Sequence, residues 1–183
     1  MILGLIGPKQ SGKTTLARLL SAQLDFRRIS LADPLRDMLR SLLYAQECPE
    51  HLIEAMLHGH LKEEPSPYFS NRSPRYAMQT LGTEWGRLNM DPNFWTTICI
   101  NTIQNLQSQG HPHIVVDDVR FLSESRSLKN LDAKILKLDR EGYGPGDHIS
   151  EQEYPLIKPD IIIQNSSNPQ YMIEQLMASS PNL

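Results

Sequence analysis

A chain of 183 residues, 39% hydrophobic and 21% charged, is long enough to bury one substantial core, short for two ordinary domains, and too apolar for a disordered polymer. Its 18 lysines and arginines against 21 acidic residues give a net charge of -3, which excludes a general attraction to nucleic acid polymers or anionic membranes; phosphate chemistry would need a locally built positive site. Cys48 and Cys99 have neither C-x-x-C spacing nor a zinc pattern, and the apolar start has no basic leader and breaks within a few residues, so the expectation is a reducing, cytoplasmic setting with no signal peptide or membrane span.

Met1 to Ile6 read MILGLI, a short apolar strand. Gly7-Pro8-Lys9-Gln10-Ser11-Gly12-Lys13-Thr14 follows at once, and Thr15 to Leu20 continue with helical spacing. Strand, G-x-x-x-x-G-K-T and helix in that order form a phosphate cradle: small residues let backbone N–H groups point inward, and the helix start adds unpaired N–H groups and partial positive charge. Gly7 and Gly12 allow the turn, Lys13 reaches the β- and γ-phosphates of ATP, and Thr14 offers a hydroxyl to Mg²⁺.

The helix from Lys13 to Leu24 carries Leu16, Leu19, Leu20 and Leu24 on one face, and Arg27 to Leu31 read as a second strand. Asp33-Pro34 then opens a helix with Leu35, Met38, Leu39, Leu42 and Leu43 toward the core. Asp33 fits both an N-cap and a ligand contact. Arg36 stands one turn past the carboxyl end of a strand, where open α/β sheets bind their ligands. Residues 46 to 72 are irregular, with a short helix from Glu50 to Leu57, and read as an insertion over the sheet.

Ser73-Pro74 caps the next helix, expected to run to Asn89. Along it Arg75, Gln79, Thr83 and Arg87 recur every four residues as a polar stripe beside an apolar one of Met78, Leu81, Trp85 and Leu88. Gly82 and Gly86 are poor helix formers, and close approach of another group to the backbone, a substrate among the candidates, would account for them. Asp91-Pro92 opens a further helix with Phe94, Trp95, Ile98, Cys99, Thr102, Ile103 and Leu106 inward and Gly110 as its stop. His113 to Val116 form a strand ending in Asp117-Asp118, carboxylates that can hold Mg²⁺ directly or through water. A helix over Phe121 to Leu131, strands over Lys134 to Leu138 and Ile161 to Ile163, and a last helix capped by Asn168-Pro169 complete the chain. Five strands with helical connections make a largely parallel sheet covered on both faces.

The stretches Ser73-Pro74-Arg75, Gln79 to Arg87 (QTLGTEWGR), Asp118-Val119-Arg120-Phe121 with Glu124, and His148-Ile149-Ser150-Glu151 resemble the bacteriophage and bacterial deoxynucleoside monophosphate kinases, in the same order over nearly the whole chain. The resemblance implies a three-layer α/β P-loop kinase fold with a five-stranded parallel sheet in order 2-3-1-4-5. It implies one domain over residues 1–183, with a monophosphate-binding helical region at about 33–90 and a short lid-like segment at about 140–155. It carries ATP binding to Gly7, Lys9, Ser11, Gly12, Lys13, Thr14 and Thr15, and the monophosphate to Asp33, Arg36, Arg75, Gln79, Trp85 and Arg87. Thr14 and Asp118 become the magnesium groups, and Lys13, Arg87, Arg120 and Arg140 the cations facing the transferred phosphoryl group. Many phage members carry Asp after the loop lysine; Thr14 restores the usual magnesium-binding hydroxyl. The implied partners are small-molecule nucleotides, with a homodimer left open. A phosphomevalonate kinase of the animal type shares the loop and the Asp-x-Arg segment, whereas Gln79 and Trp85 favour a base-reading pocket. A nucleotide-binding switch protein would lack work for these arginines, and no N-K-x-D motif is present.

Overall fold

The computed structural model describes residues 1–144, 152–166 and 168–180. The chain divides into two compact units, one made of Met1–Leu31 and Thr96–Leu183, the other of Ala32–Trp95.

The first unit is built on a five-stranded sheet in the expected order, β2-β3-β1-β4-β5, with every pairing parallel. Its strands are β1 (Ile2–Ile6), β2 (Arg27–Ile29), β3 (Ile114–Val116), β4 (Lys134–Asp139) and β5 (Ile161–Gln164). All five residues of β1 are buried, as a central parallel strand covered on both faces requires. Leu3 and Leu5 of β1, Val115 of β3, Leu136 and Leu138 of β4 and Ile163 of β5 alternate onto one face. There they pack with Leu16, Ala17 and Leu20 of α1 (Lys13–Leu24) and Met172, Ile173 and Leu176 of the last helix (Pro169–Ser179). The helix over Leu122–Lys129 packs on β1 and β4, completing the three layers. Phenylalanine-to-serine helix Phe94–Ser108 buries Cys99 and Ile103 as its periodicity requires, and Gly110, with φ +87°, follows its end. Asp91 Oδ1 accepts the Asn93 N–H at 2.6 Å, the contact a capping side chain makes, and after the Pro92-Asn93 turn the regular helix starts at Phe94. No helix of the described residues is long and apolar enough to cross a membrane.

The second unit has a core of its own: Leu39 and Leu43 of α2 (Asp33–Tyr44), Ile53, Met56 and Leu57 of α3 (Glu50–Leu57), with Cys48 and Phe69. The stretch expected to be irregular is therefore a working part of a core. It carries two short 3₁₀ turns, His60–Glu63 and Pro67–Phe69, and a bridge from Ser66 to Arg72. Two details of α2 differ from expectation. Ala32 occupies the N-cap position without a side-chain cap, because Asp33 is already helical and its carboxylate takes the Arg36 guanidinium at 2.5 Å. Met38 and Leu42 are exposed, 41% and 47%, since the buried stripe is the straight i, i+4, i+8 row of Leu35, Leu39 and Leu43.

The larger correction concerns the helix expected from Ser73 to Asn89. Ser73 does cap it, Oγ accepting the Tyr76 N–H at 3.1 Å, but α4 ends at Thr80 and a π-helix runs from Leu81 to Met90. The polar stripe is therefore divided between two windings, Arg75 and Gln79 on α4 and Thr83 and Arg87 on the wider π-helix, and all four are half-buried. Nor is the room beside Gly86 open to a ligand. A Cβ there would lie 2.2 Å from Trp95 Nε1, so the indole of Trp95, 2% exposed, occupies that space.

Candidate active site

Between β1 and α1 the chain turns through Gly7 at φ +139° and Gly12 at φ +104°. Both torsions favour glycine, and both positions lack room: a Cβ on Gly7 would meet the Leu138 carbonyl oxygen at 2.5 Å, one on Gly12 the Asn165 amide at 2.5 Å. Gly12 is the N-cap of α1 and supplies no side chain, so the first-turn N–H groups have no side-chain cap. Lys13 curls back over the loop, Nζ donating to the Gly7 and Pro8 carbonyls at 2.7 Å each. Ser11 is fully buried in the turn, and its Oγ has no hydrogen-bond partner among the described residues. A buried orphan hydroxyl, a lysine ammonium and a helix N-terminus without a side-chain cap, all within one tight turn, fit a bound polyphosphate.

A cleft of about 450 Å³ opens from this loop, lined by Gly12, Lys13, Thr14 and Thr15 and, from distant sequence, by Gln10, Arg140, Asn165, Pro169 and Met172. Asn165 Nδ2 donates to the Ser11 carbonyl at 2.8 Å, and Arg140 Nη1 to the Gln10 carbonyl at 2.9 Å while its guanidinium lies 4.5 Å from the Tyr143 ring centre. Thr14 and Thr15 are exposed within the cleft; Lys9 is exposed at the turn.

At the end of β3 the two carboxylates divide. Asp117, with its side chain 3% exposed, accepts Arg28 Nε at 2.6 Å. Asp118 receives Ser30 Oγ at 2.5 Å on one oxygen and the Leu31 N–H at 2.7 Å on the other, which fixes the carboxylate between the ends of β2 and β3. The backbone N–H groups of Arg120 and Phe121 both donate to the buried Glu124 carboxylate, at 2.8 and 3.0 Å, which fixes the turn that carries Arg120. Among the described residues no group of three or more His, Cys, Asp or Glu could hold a metal. Magnesium takes oxygen donors, and Thr14 and Asp118 each carry side-chain oxygens of that kind.

In the second unit Arg36 pairs with Asp33, Arg75 Nε with Glu63 at 3.2 Å, and Arg87 Nη1 donates to the Gly82 carbonyl at 3.0 Å. Gln79 is half-buried in the last turn of α4. Trp85, 36% exposed, meets Phe94 edge-on at 5.4 Å between ring centres. His58, on the same unit, is held below the ordinary imidazole range by burial first and then by the charge of Arg36; Glu54 pulls the other way, and Lys62 and Arg40 add to the lowering.

The family described as Deoxynucleotide monophosphate kinase matches residues 43–177. The chain belongs to that family. A protein of Acanthamoeba polyphaga mimivirus named "Putative deoxynucleotide monophosphate kinase" is 30% identical over 194 residues, covering 100% of this chain and 97% of the relative. Among solved structures, a sugar kinase from Janibacter sp. HTCC2649 shares the fold at a TM-score of 0.50 and 15% identity, covering 97% of this chain and 92% of that one. With the loop and topology above, family membership makes the protein a P-loop phosphotransferase.

For a member of this family, the cleft brings together five of the residues singled out from the sequence, Gly12, Lys13, Thr14, Thr15 and Arg140. It also adds Asn165 and Pro169, which the sequence reading missed. Their signal was present: the polar run Gln164-Asn165-Ser166 follows an apolar strand at its carboxyl end. His148, Ser150 and Glu151 of the lid-like segment lie outside the described residues.

Proposed function

We propose that the protein transfers the γ-phosphoryl group of ATP to a (deoxy)nucleoside 5′-monophosphate, giving the diphosphate. The observation that carries this reading is the loop itself: a buried Ser11 hydroxyl without a partner among the described residues and a Lys13 ammonium folded over the turn between Gly7 and Gly12, in a chain of the deoxynucleotide monophosphate kinase family. Lys13 holds the β- and γ-phosphates, Ser11, Gly12 and the first turn of α1 supply donors to them, and Thr14 and Asp118 hold Mg²⁺. Mg²⁺ neutralises charge on the phosphates when it is bound. A monophosphate is already a good oxygen nucleophile, so the chain supplies no alkoxide-forming base. Its task is to bring two anions together and spread the charge of the transferred group over fixed cations, the role assigned to Arg87, Arg120 and Arg140.

In this reading residues 33–90 bind the acceptor, Arg36, Arg75 and Arg87 taking its phosphate and Gln79 its base edge, and residues 140–155 cover the donor. The chain then acts as one catalytic domain. The test is a coupled ADP-release panel with each deoxy- and ribonucleoside monophosphate, and phosphomevalonate beside them, with the product identified. Diphosphate formation from at least one nucleoside monophosphate supports the reading; transfer to phosphomevalonate alone defeats it.

A further inference from the structure

The carbonyl of Gly82 has two side-chain donors. Trp95 Nε1 reaches it at 2.8 Å and Arg87 Nη1 at 3.0 Å, the second from five residues on along the π-helix. Both donors approach the same oxygen, so each restricts the direction from which the other can reach it. The indole N–H is a donor only and Trp95 is 2% exposed, so Gly82 is the partner that relieves its burial. The ring fits because residue 86 has no side chain: a Cβ on Gly86 would stand 2.2 Å from Nε1, 2.5 Å from Cε2 and 2.7 Å from Cζ2. Phe94 and Trp85 close around the same indole, with ring centres 4.8 and 5.9 Å away.

The five-residue reach recurs along the segment. Asn89 Nδ2 donates to the Glu84 carbonyl at 2.7 Å, and the Asp91 N–H to the Gly86 carbonyl at 3.0 Å. Windings of this kind are rare and found mostly as single turns, so a run from Leu81 to Met90 needs support from outside its own backbone. The Trp95 N–H supplies that support at Gly82, the carbonyl that also anchors the Arg87 guanidinium.

We infer that Trp95 is a positioning residue for the acceptor: its indole holds the π-helical winding at Gly82 and Gly86 and thereby sets where Arg87 presents its guanidinium. The inference rests on the proposed role of Arg87 in binding the acceptor phosphate. Trp95 touches no substrate in this account. A tighter α winding would turn Arg87 away from its present direction, so loss of the indole N–H acts on acceptor binding and leaves donor binding alone.

The experiment measures kcat and KM for the acceptor and for MgATP in Trp95→Phe, Gly86→Ala, Arg87→Ala and the double variant Trp95→Phe/Arg87→Ala, with folding checked by circular dichroism. Trp95→Phe keeps an aromatic ring and removes the N–H; the expected result is an acceptor KM raised about tenfold, the factor set by one buried hydrogen bond, with the MgATP KM unchanged. Gly86→Ala, which puts a methyl group where the indole lies, reproduces the same split by an independent route. In the Arg87→Ala background Trp95→Phe adds nothing further. A folded Trp95→Phe with an unchanged acceptor KM overturns the inference, as does a Trp95→Phe factor that persists in full without Arg87. Failure of the underlying reading has a different signature: Arg87→Ala alone leaves the acceptor kcat/KM unchanged.

Discussion

Lys13 closes its own loop through the Gly7 and Pro8 carbonyls, so its removal costs the free protein two partly buried hydrogen bonds and, in the proposed function, takes a cation from the bound nucleotide. Lys13→Ala is expected to abolish transfer while the circular dichroism spectrum and unfolding midpoint stay close to the parent's; near-parental turnover in the folded variant contradicts the assignment. Thr14→Ala is expected to retain part of its rate and to need more Mg²⁺, since the hydroxyl is one oxygen among several around the ion, and an unshifted magnesium titration would remove Thr14 from that shell. Asp118 has a structural task as well as a proposed magnesium role. Asparagine at 118 can keep the Leu31 N–H on its oxygen and turn its NH2 to Ser30 Oγ, which then accepts instead of donating, but both bonds lose the carboxylate's charge. A loss of about 1–3 kcal/mol in denaturant unfolding is expected, with slower turnover for every acceptor. A rate defect confined to one base would contradict the donor-side role.

His58 gives a pH dependence whose sign follows from its depressed pKa. The unfolded chain binds a proton at the ordinary imidazole value of 6.5 while the folded chain, where burial and Arg36 oppose the charge, waits for a lower pH. Its contribution to stability is therefore complete above that value and is lost as pH falls toward the folded one. His58 is largely exposed, so the effect is small. His58→Gln is expected to flatten the decline of the unfolding midpoint between about pH 7 and pH 5; a decline identical to the parent's would show that other groups carry it.

At the scale of elements, what could be read from the sequence was whatever local chemistry dictates. The loop between β1 and α1, the Ser73 and Asn168 caps and the all-apolar β1 each follow from a few adjacent residues, and each stands where its pattern puts it. Ser73→Ala is expected to cost about 1 kcal/mol, the ordinary worth of a side-chain N-cap. The π-helix could not be read in this way. Its glycines signalled a close approach, but the approaching group is Trp95, thirteen residues beyond Gly82, and periodicity within the helix says nothing of a donor outside it. The same limit exposed Met38 and Leu42, since an apolar residue beside a core stripe is assigned inward until its packing partners are known. Gln79 lies in α4 before the winding changes, so the role in base choice proposed for it can be tested apart from the π-helix. Gln79→Ala is expected to alter the ratio of kcat/KM between bases by about 1–3 kcal/mol, the worth of a good base-edge contact; an equal loss for every base would exclude readout by this amide.

For the whole molecule, the parallel sheet in order β2-β3-β1-β4-β5 places the carboxyl ends of β1, β3, β4 and β5 beside the segments that carry Lys13, Asp118, Arg140 and Asn165. Sheet topology thus gathers residues more than 150 positions apart, Ser11 and Asn165 among them, and only the strand order makes that legible. The compactness of Ala32–Trp95 was not legible, because its core is assembled from short helices and 3₁₀ turns whose apolar residues show no long period. The measurement that tests the central claim most directly is product identification after incubation with MgATP and each nucleoside 5′-monophosphate, with Lys13→Ala in parallel. The account predicts a nucleoside diphosphate in stoichiometric amount with ADP, absent from the Lys13→Ala reaction. ADP release with no diphosphate product from any nucleoside monophosphate would contradict it.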